Sequence, residues 1–437
     1  MKAAGSIVAA GAALALAQQQ LLLRRPPRLV ALESSSASSG PAALILRFSR
    51  PMLRASLAQH SVLKPPLAHQ WLGLGNPIRL LLNANQPIKG GIQLWISGTD
   101  PRGLALPPQP LTWDPRPRLL VVVPTPKGEQ LQGLDRKGHW IALTPNFPRI
   151  TNVMPLGNGS GVAFTSRSQE GEQLWLLRLQ QEAVWPQGQD QGGALRVGAL
   201  TALLPEPLLF AHLSSNQRGD LLVQWSARPL GRSITTLWPH AGRPQQLKFE
   251  ASGPMQLLPG GGSVVVPELE GLSLRNLPGR PKRRQLLPGS RDLSSFCPVS
   301  GRALLVRHWP DFRRSLELVE PGQPPRQLWL GSDAVLSTAC DRGGERVWLL
   351  LSTWRDQQRT RLIELNRDGK VMKERDLSSW EVEPGVSMAY DPTAQQLLLT
   401  MRRRGSKGAQ PVLITVDDLQ LQPIARTVRL ALWLAPG

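Results

Sequence analysis

One phrase occurs twice between Phe296 and Trp354, and it constrains the fold more than any other feature of the chain. The first copy reads FCPVSGRALLVRHWPDFRRSLELVE and the second reads ACDRGGERVWLLLSTWRDQQRTRLIELN. Each copy is a short residue cluster, a glycine-containing turn, an apolar run, a charged turn and a second apolar run. A repeat of about 40 to 50 residues that is built from short strands predicts the blades of a β-propeller.

Similar units occupy most of the chain from residue 118 onward. Glycines recur in the turn before the second strand of each unit, at Gly161, Gly219, Gly262, Gly301 and Gly343. Residues 118–145 supply only three apolar runs, and residues 428–435 supply one more. We therefore expect the C-terminal strand to complete the first blade, which closes the ring and leaves no long sheet edge exposed. The sequence predicts seven blades, with six and eight as alternatives.

The composition favours an all-β protein. The 437 residues include 40 glycines and 41 prolines, which separate short apolar runs instead of clustering. Helices tolerate interior proline poorly, whereas turns require both residue types. The predicted fold class is thus all-β, with a small β-sandwich preceding the propeller.

The first 25 residues have the pattern of an export signal. Lys2 precedes an apolar run from Ala3 to Ala17, and the run ends in an Ala-Leu-Ala cleavage site. The alternative is a membrane anchor formed by residues 3–23. We expect an exported protein of the periplasm or cell envelope, or one that is anchored to the membrane. Residues 26–41 are rich in proline and then serine, which indicates a linker.

Residues 42–117 contain short strand patterns between Asn, Pro, Gly and Asp turns. Within them, residues 48–52 (FSRPM) and residues 96–100 (ISGTD) with Gly103 resemble the SbsA-type bacterial Ig-like domain. Leu53 stands where that family usually has an aspartate. The resemblance implies an Ig-like β-sandwich that serves as a spacer or adhesive module. Residues 118–437 resemble the TolB-like periplasmic propellers, and more distantly WD-like ones, at the level of the fold.

The charge is strongly positive, with a formal net charge of +20. This charge indicates either an anionic partner or a solvated surface rich in arginine. Two basic runs lie in loops of different blades, and we interpret them as parts of one cationic face that binds an anionic ligand. Their residues are Arg280, Lys282, Arg283, Arg284, Arg402, Arg403 and Arg404. No nucleic-acid-binding motif accompanies them, so nucleic acid is not the expected partner.

The two cysteines, Cys297 and Cys340, occupy equivalent positions in consecutive repeats. Equivalent positions on neighbouring inner strands come close together in a propeller, so an oxidising compartment would allow a disulfide between them. The alternative is that both are small buried residues that fill the same packing position.

No motif indicates catalysis, and no cofactor or metal is expected. The six histidines are scattered, and the glycine-rich segments lack the context of a phosphate-binding loop. Tryptophans beside the strands are interpreted as packing between blades, or as rims that bind sugar or protein.

The sequence therefore predicts a non-enzymatic binding or scaffold protein of the cell envelope. Its partner would be an envelope protein, an acidic polysaccharide or an anionic lipid surface. The alternatives are a carbohydrate-active hydrolase or lyase, and a purely structural component of a surface layer.

Overall fold

The structure is a computed structural model of the protein. It describes residues 24–35, 41–83, 87–188, 193–227, 233–298, 301–354, 357–382 and 387–436, with Gln18, Gln20 and Gly385. The predicted signal peptide or anchor lies almost wholly outside these residues. Among the described residues, no helix is long and apolar enough to cross a membrane. The chain divides into two compact units. The first comprises Met1–Gln86, Gly90–Asp114 and Ala183–Gly192, and the second comprises Pro87–Lys89, Pro115–Glu182 and Gly193–Gly437.

The first unit contains two antiparallel sheets and a short helix, α1 (Arg54–His60). One sheet has the order β1-β2-β5-β4, with strands β1 (Leu29–Ser35), β2 (Ala43–Phe48), β4 (His69–Leu72) and β5 (Ile78–Leu82). The other has the order β14-β7-β6-β3, with strands β3 (Val62–Lys64), β6 (Ile92–Thr99), β7 (Ala105–Trp113) and β14 (Val184–Pro186). Alternate residues of β2, β5 and β6 are buried, which gives each sheet one apolar face.

Two segments of this unit differ from the sequence interpretation. The segment read as a linker, residues 26–41, contains strand β1, and the indole of Trp113 donates a hydrogen bond to Ser34 Oγ at 3.1 Å. An edge strand with a serine-rich end has the composition of a linker, so composition alone did not reveal it. Strand β14 falls within residues 118–437, which the sequence assigned to the propeller, but it pairs with β7 of the first unit. That pairing spans a large sequence separation, which local patterns do not encode.

The second unit is a series of antiparallel sheets. Within the described residues we number these sheets 1 to 7 in chain order. The strands of the first three are: sheet 1, β8 (Arg118–Thr125), β9 (Gly128–Leu134), β10 (Trp140–Ala142) and β37 (Leu430–Leu434); sheet 2, β11 (Arg149–Pro155), β12 (Gly161–Ser168), β13 (Gly171–Gln180) and β15 (Arg196–Ala202); and sheet 3, β16 (Phe210–Ser215), β17 (Leu221–Ser226), β18 (Ile234–Trp238) and β19 (Gln245–Leu247).

The strands of the other four are: sheet 4, β20 (Gln256–Leu257), β21 (Ser263–Glu268), β22 (Gly271–Asn276) and β23 (Arg284–Pro288); sheet 5, β24 (Arg291–Phe296), β25 (Ala303–His308), β26 (Arg314–Val319) and β27 (Arg326–Gly331); sheet 6, β28 (Ala334–Cys340), β29 (Arg346–Trp354), β30 (Gln358–Asn366) and β31 (Val371–Asp376); and sheet 7, β32 (Trp380–Val382), β33 (Ala389–Asp391), β34 (Gln396–Arg403), β35 (Ala409–Thr415) and β36 (Leu421–Pro423).

The sheets form a closed ring. Each of sheets 2 to 6 is a meander in which consecutive strands pair, and neighbouring sheets touch mainly through their innermost strands, for example β11 with β16 and β28 with β33. The C-terminal strand β37 pairs with β8 in sheet 1 and also touches β11 and β34. The structure thus contains the predicted pairing of the two ends of the repeat region. This arrangement is that of a β-propeller.

The core of the second unit lies between the sheets, as expected from its apolar middle strands. One cluster of buried side chains joins sheets 5 and 6, and it includes Leu304, Leu316, Val347 and Leu349. Another joins sheets 1 and 2 and includes Leu434 from the C-terminal strand, which is fully buried. The middle strands read as continuous apolar runs because both of their faces are covered by neighbouring sheets.

The connections between strands define two ends of this ring. Turns that join the first and second strands of consecutive sheets touch one another: Asn158 Nδ2 lies 3.3 Å from Arg218 O, and Gln217 N donates to Pro259 O at 2.9 Å. We call this end the turn end. The hairpins that join second and third strands lie at the other end, where Arg404 Nη2 donates to Gln358 O at 2.9 Å. We call it the hairpin end.

Candidate functional site

A groove of about 650 Å³ lies at the turn end, between the last strand of sheet 3 and the third and fourth strands of sheet 4. Its walls come from β19 and the residues that directly follow it, from the end of β22 and from the loop that connects β22 to β23. We call it the cationic groove, because its lining includes Lys248, Arg275, Arg280, Lys282, Arg283 and Arg284 and no carboxylate side chain.

Asn276 fixes the loop that carries most of these cations. Its side-chain amide donates to Pro281 O at 2.7 Å, while its Oδ1 accepts a hydrogen bond from Ser263 Oγ at 2.9 Å. Its backbone N–H donates to Arg283 O at 3.3 Å. Prolines at positions 278 and 281 limit the loop further because they fix φ. The backbone that presents the basic side chains is therefore held at both of its ends.

Glu268 neutralises part of the positive charge beside the groove. Its carboxylate accepts hydrogen bonds from Ser273, Arg275 and Arg284. Burial alone would raise the pKa of Glu268, but the hydrogen bonds from Ser273, Arg284 and Arg275 outweigh it and lower the pKa to about 2. The carboxylate is thus ionised at neutral pH and is fully engaged by two arginines.

Four cations of the groove are not neutralised in this way. Among the described residues, the side chains of Lys248, Arg280, Lys282 and Arg283 have no carboxylate within ion-pair distance, and all four are exposed. The guanidinium of Arg275 lies 5.5 Å from the ring centre of Phe249, which adds an aromatic surface to the lining. Unpaired cations beside an aromatic face are suited to an anionic ligand with a flat apolar side.

The structure divides the seven predicted ligand-binding cations between the two ends of the propeller. Arg280, Lys282, Arg283 and Arg284 lie in or beside the β22–β23 loop at the turn end, whereas Arg402, Arg403 and Arg404 lie in the β34–β35 hairpin at the hairpin end. The hypothesis of one cationic face is therefore wrong. The β22–β23 loop joins the third and fourth strands of its sheet, whereas the β34–β35 hairpin joins the second and third. Because consecutive strands run in opposite directions, these two connections lie at opposite ends of the propeller.

The second group is also more strongly paired. Arg402 donates to Glu381 Oε2 from its Nη2 at 2.7 Å, and Arg404 Nε lies 3.9 Å from the same carboxyl group. Arg404 further binds a backbone carbonyl in the hairpin of sheet 6. Arg403 is exposed and, in the part of the chain that is described, has no acidic partner. The interactions of Arg402 and Arg404 are therefore compatible with a structural role.

The structure joins Cys297 and Cys340 in a disulfide. Their Cα atoms lie 5.2 Å apart, and both side chains are buried in the cluster between sheets 5 and 6. Each cysteine lies at the turn between the first and second strands of its sheet, which are the equivalent positions in the repeat. The bond links two consecutive sheets at the turn end.

The aspartates in the turns act mainly as caps of backbone N–H groups. Asp391 accepts hydrogen bonds from the N–H groups of Thr393 at 2.8 Å and of Ala394 at 3.2 Å, and burial raises its pKa. Asp341 accepts from Glu345 N at 2.8 Å, and burial also raises its pKa. Within the described residues, no group of three or more His, Cys, Asp or Glu side chains is arranged to hold a metal ion.

The tryptophans follow both interpretations that the sequence offered. Trp348 is fully buried in the core between sheets 6 and 7. Trp354, by contrast, is 76% exposed at the end of β29. The first fills space between sheets, and the second is available to a partner.

Sequence reasoning missed Lys248, Phe249 and Arg275 as members of the cationic groove. Lys248 and Phe249 directly follow β19, Arg275 lies in β22, and no local charge run marks them. The repeat pattern could have indicated them, because in a propeller the last strand of one sheet lies beside the third strand of the next sheet. Using that signal would have required the strand register, which the sequence does not state.

Comparisons with known proteins give similar folds and no family. No protein-family model matches the chain, and neither does any curated protein. Similar solved structures include TolB from Acinetobacter baumannii, at 12% identity and a TM-score of 0.40, covering 86% of this chain and 82% of that one. An oligogalacturonate lyase in complex with manganese has 12% identity and a TM-score of 0.48, covering 86% and 98%. An uncharacterized protein from Listeria monocytogenes has 10% identity and a TM-score of 0.49, covering 72% and 93%. At such values these structures carry no weight for function, and the propeller assignment rests on the sheets and the ring closure described above.

Proposed function

We propose that this chain is a non-enzymatic binding protein of the cell envelope, and that its propeller binds an acidic polysaccharide in the cationic groove. The observation that carries the proposal is the set of four exposed cations, Lys248, Arg280, Lys282 and Arg283, that no carboxylate of the described residues neutralises. Unneutralised cations in a concave site are favourable for an anionic ligand because they repel one another until it binds.

The groove has the size and the chemistry for a few sugar units. Its volume of about 650 Å³ lies in the range of sites for small ligands. Guanidinium groups match carboxylate oxygens with paired hydrogen bonds, and the half-buried Phe249 adds apolar surface that a sugar ring can contact. A carboxylated polysaccharide combines these two requirements in one repeating unit.

Binding is favoured over catalysis because the lining of the groove includes no carboxylate side chain, and because Glu268, which pairs with two arginines of the lining, is itself outside that lining. Glycoside hydrolysis requires a carboxyl group that can donate a proton near neutral pH, and elimination requires an effective base. The pKa of Glu268, at about 2, leaves this group without a proton to donate and makes it a weak base. We therefore infer that the groove holds its ligand without transforming it.

The remaining predictions from the sequence form part of this proposal. The sheets of the second unit are seven blades, and the first unit is an Ig-like spacer of the SbsA type. The protein is exported by residues 1–25, or anchored by residues 3–23, to an oxidising compartment. A disulfide between Cys297 and Cys340 supports export, because such bonds persist mainly outside the cytoplasm.

Binding to a carboxylated polysaccharide such as alginate tests the proposal, with neutral dextran as the control ligand. The double variant Lys282→Glu/Arg283→Glu should bind alginate about tenfold to hundredfold more weakly, since it loses two charge-assisted contacts of about 1 kcal/mol or more each. Binding by the original protein should also weaken as salt is raised.

A matched control changes the charge equally at the other end. The variant Arg403→Glu/Lys407→Glu alters two exposed cations of the β34–β35 hairpin and should leave alginate binding within about twofold, a small long-range electrostatic effect. If the two double variants lose the same amount of affinity for alginate, then only net charge matters, and the proposal that the groove is the binding site is refuted. Cleavage of alginate by the purified protein would refute the non-enzymatic assignment.

A further inference from the structure

Three consecutive sheets each carry a large apolar side chain in, or directly beside, the turn of the hairpin between their second and third strands. Leu269 of sheet 4 is 97% exposed, Phe312 of sheet 5 is 90% exposed and Trp354 of sheet 6 is 76% exposed. All three hairpins lie at the hairpin end of the propeller. Single exposed apolar residues are common on protein surfaces, but one such residue in the corresponding hairpin of three successive sheets is a pattern.

The hairpin that carries Phe312 is held in a defined shape. Phe312 N donates to Trp309 O at 3.1 Å, and Asp311 Oδ1 accepts from Arg313 N at 3.2 Å. The guanidinium of Arg307 lies 3.8 Å from the ring centre of Trp309, whose indole donates to Ser315 Oγ at 3.0 Å. Phe312 itself has a φ of +64°, a conformation that costs free energy for a residue with a side chain. The hairpin therefore presents the phenyl ring to solvent in a conformation that its own residues maintain.

The next hairpins around the ring are basic. In sheet 7, Arg403 and Lys407 are exposed, and no acidic partner is present among the residues that the structure describes. Sheet 1 follows sheet 7 in the closed ring, and its innermost strand is β37. The β8–β9 hairpin therefore joins its second and third strands, and this hairpin carries the exposed Lys127. The hairpin end thus carries apolar tips on one arc and unpaired cations on the adjoining arc.

We propose that the hairpin end docks onto an anionic lipid bilayer, with Leu269, Phe312 and Trp354 inserted at the boundary of headgroups and acyl chains. Arg403, Lys407 and Lys127 contact the lipid phosphates. Apolar side chains that enter the interface and cations that face anionic headgroups are the two components of peripheral membrane binding. Indole rings in particular favour the interfacial region.

A bilayer fits this surface better than a protein does. The three apolar side chains project from separate hairpins, so they form isolated points at one end of the ring instead of a continuous apolar patch. A protein partner would need a contiguous, well-packed centre to its interface. A fluid interface accepts separate apolar points, provided that they lie at the same end of the molecule.

Sedimentation of the full chain with vesicles tests this proposal. We expect binding to vesicles of phosphatidylcholine with phosphatidylglycerol, and weaker binding to phosphatidylcholine alone. Phe312→Ser and Trp354→Ser should each lower the partition coefficient roughly tenfold. Arg403→Glu/Lys407→Glu should remove most of the preference for anionic vesicles.

Met372→Ser is the matched control, because Met372 is 54% exposed on the outer strand β31, which follows a turn-end loop. It should leave vesicle binding unchanged. All variants share the same apolar N-terminal segment, so differences between them report the hairpin tips. If the two tip variants bind vesicles as the original protein does, the proposal is wrong. It is also wrong if only the charge variant weakens binding, because the apolar tips then do not insert.

This site is independent of the cationic groove. Lys282→Glu/Arg283→Glu should bind vesicles within about twofold of the original protein, as expected for a small long-range charge effect. Phe312→Ser should bind alginate normally. The failure of one proposal would therefore leave the other standing.

Discussion

The bond between Cys297 and Cys340 should stabilise the second unit by a measurable amount. It closes a segment with a sequence separation of 43 residues, for which the loss of chain entropy in the unfolded state corresponds to about 4 kcal/mol. Unfolding entropy of about 2.1 cal/mol/K per residue, over the roughly 300 residues of this unit, converts that value into a change in Tm of roughly 6 °C. We expect Tm to fall by this amount when the protein is refolded in a reducing agent.

Thermal unfolding monitored by circular dichroism, with and without the reducing agent, measures this effect. Leu316→Ala is the control: Leu316 is buried in the same cluster, so the variant should lower Tm in both conditions and preserve the difference between them. Cys297→Ala/Cys340→Ala should lower Tm and abolish the difference. Thiol titration of the unreduced, denatured protein should find no free thiol. Two free thiols, or a Tm that does not respond to the reducing agent, would refute the reasoning.

Two further predictions concern the groove and the closure of the ring. Because the pKa of Glu268 in the folded protein is about 2 against a usual 4.5, its ionised form contributes stability that is complete above pH 4.5 and lost as the pH falls towards 2. Urea unfolding of Glu268→Gln should therefore show lower stability than the original protein at pH 7, and the difference should shrink across this acidic window; a constant difference would contradict the pairing. Removal of residues 428–437 deletes strand β37 and exposes the edge of β8, so the truncated chain should aggregate or lose its cooperative unfolding transition. A truncated chain that remains monomeric with an unchanged Tm would show that the closure is dispensable.

The repeat made the architecture of the second unit predictable. The sequence placed strand β37 in sheet 1 because residues 118–145 contain one apolar run fewer than a four-stranded blade requires. In a closed ring, the strand at the C-terminal end of the repeat region completes that blade. The same reasoning placed Cys297 and Cys340 at equivalent turns of consecutive sheets. In both cases the residues occupy equivalent or complementary positions of a repeat. Such positions lie close together in space even though they are far apart in the sequence.

The first unit was less predictable because its pairings do not repeat. Strand β14 joins β7 from a position some 70 residues later in the chain. Its three residues, Val184, Trp185 and Pro186, are too few to show an alternating pattern. Strand β1 was concealed by its serine-rich end. An edge strand has hydrogen bonds on one side alone and can carry the composition of a linker.

A run of charged residues does not indicate at which end of the propeller it lies, as the two basic runs show. Residues 280–284 and 402–404 look alike in the sequence, and both lie where two consecutive strands are joined. The first run, however, lies between the third and fourth strands of its sheet. The second lies at the end of β34, which occupies the second position of its sheet because β32 and β33 both pair with it and together form the first. Since consecutive strands are antiparallel, the chain emerges at opposite ends of the ring after two and after three strands. Counting the strands within each repeat would have separated the two runs. The same count places Leu269, Phe312 and Trp354 at one end, which is why three residues with no common local motif can act on one surface.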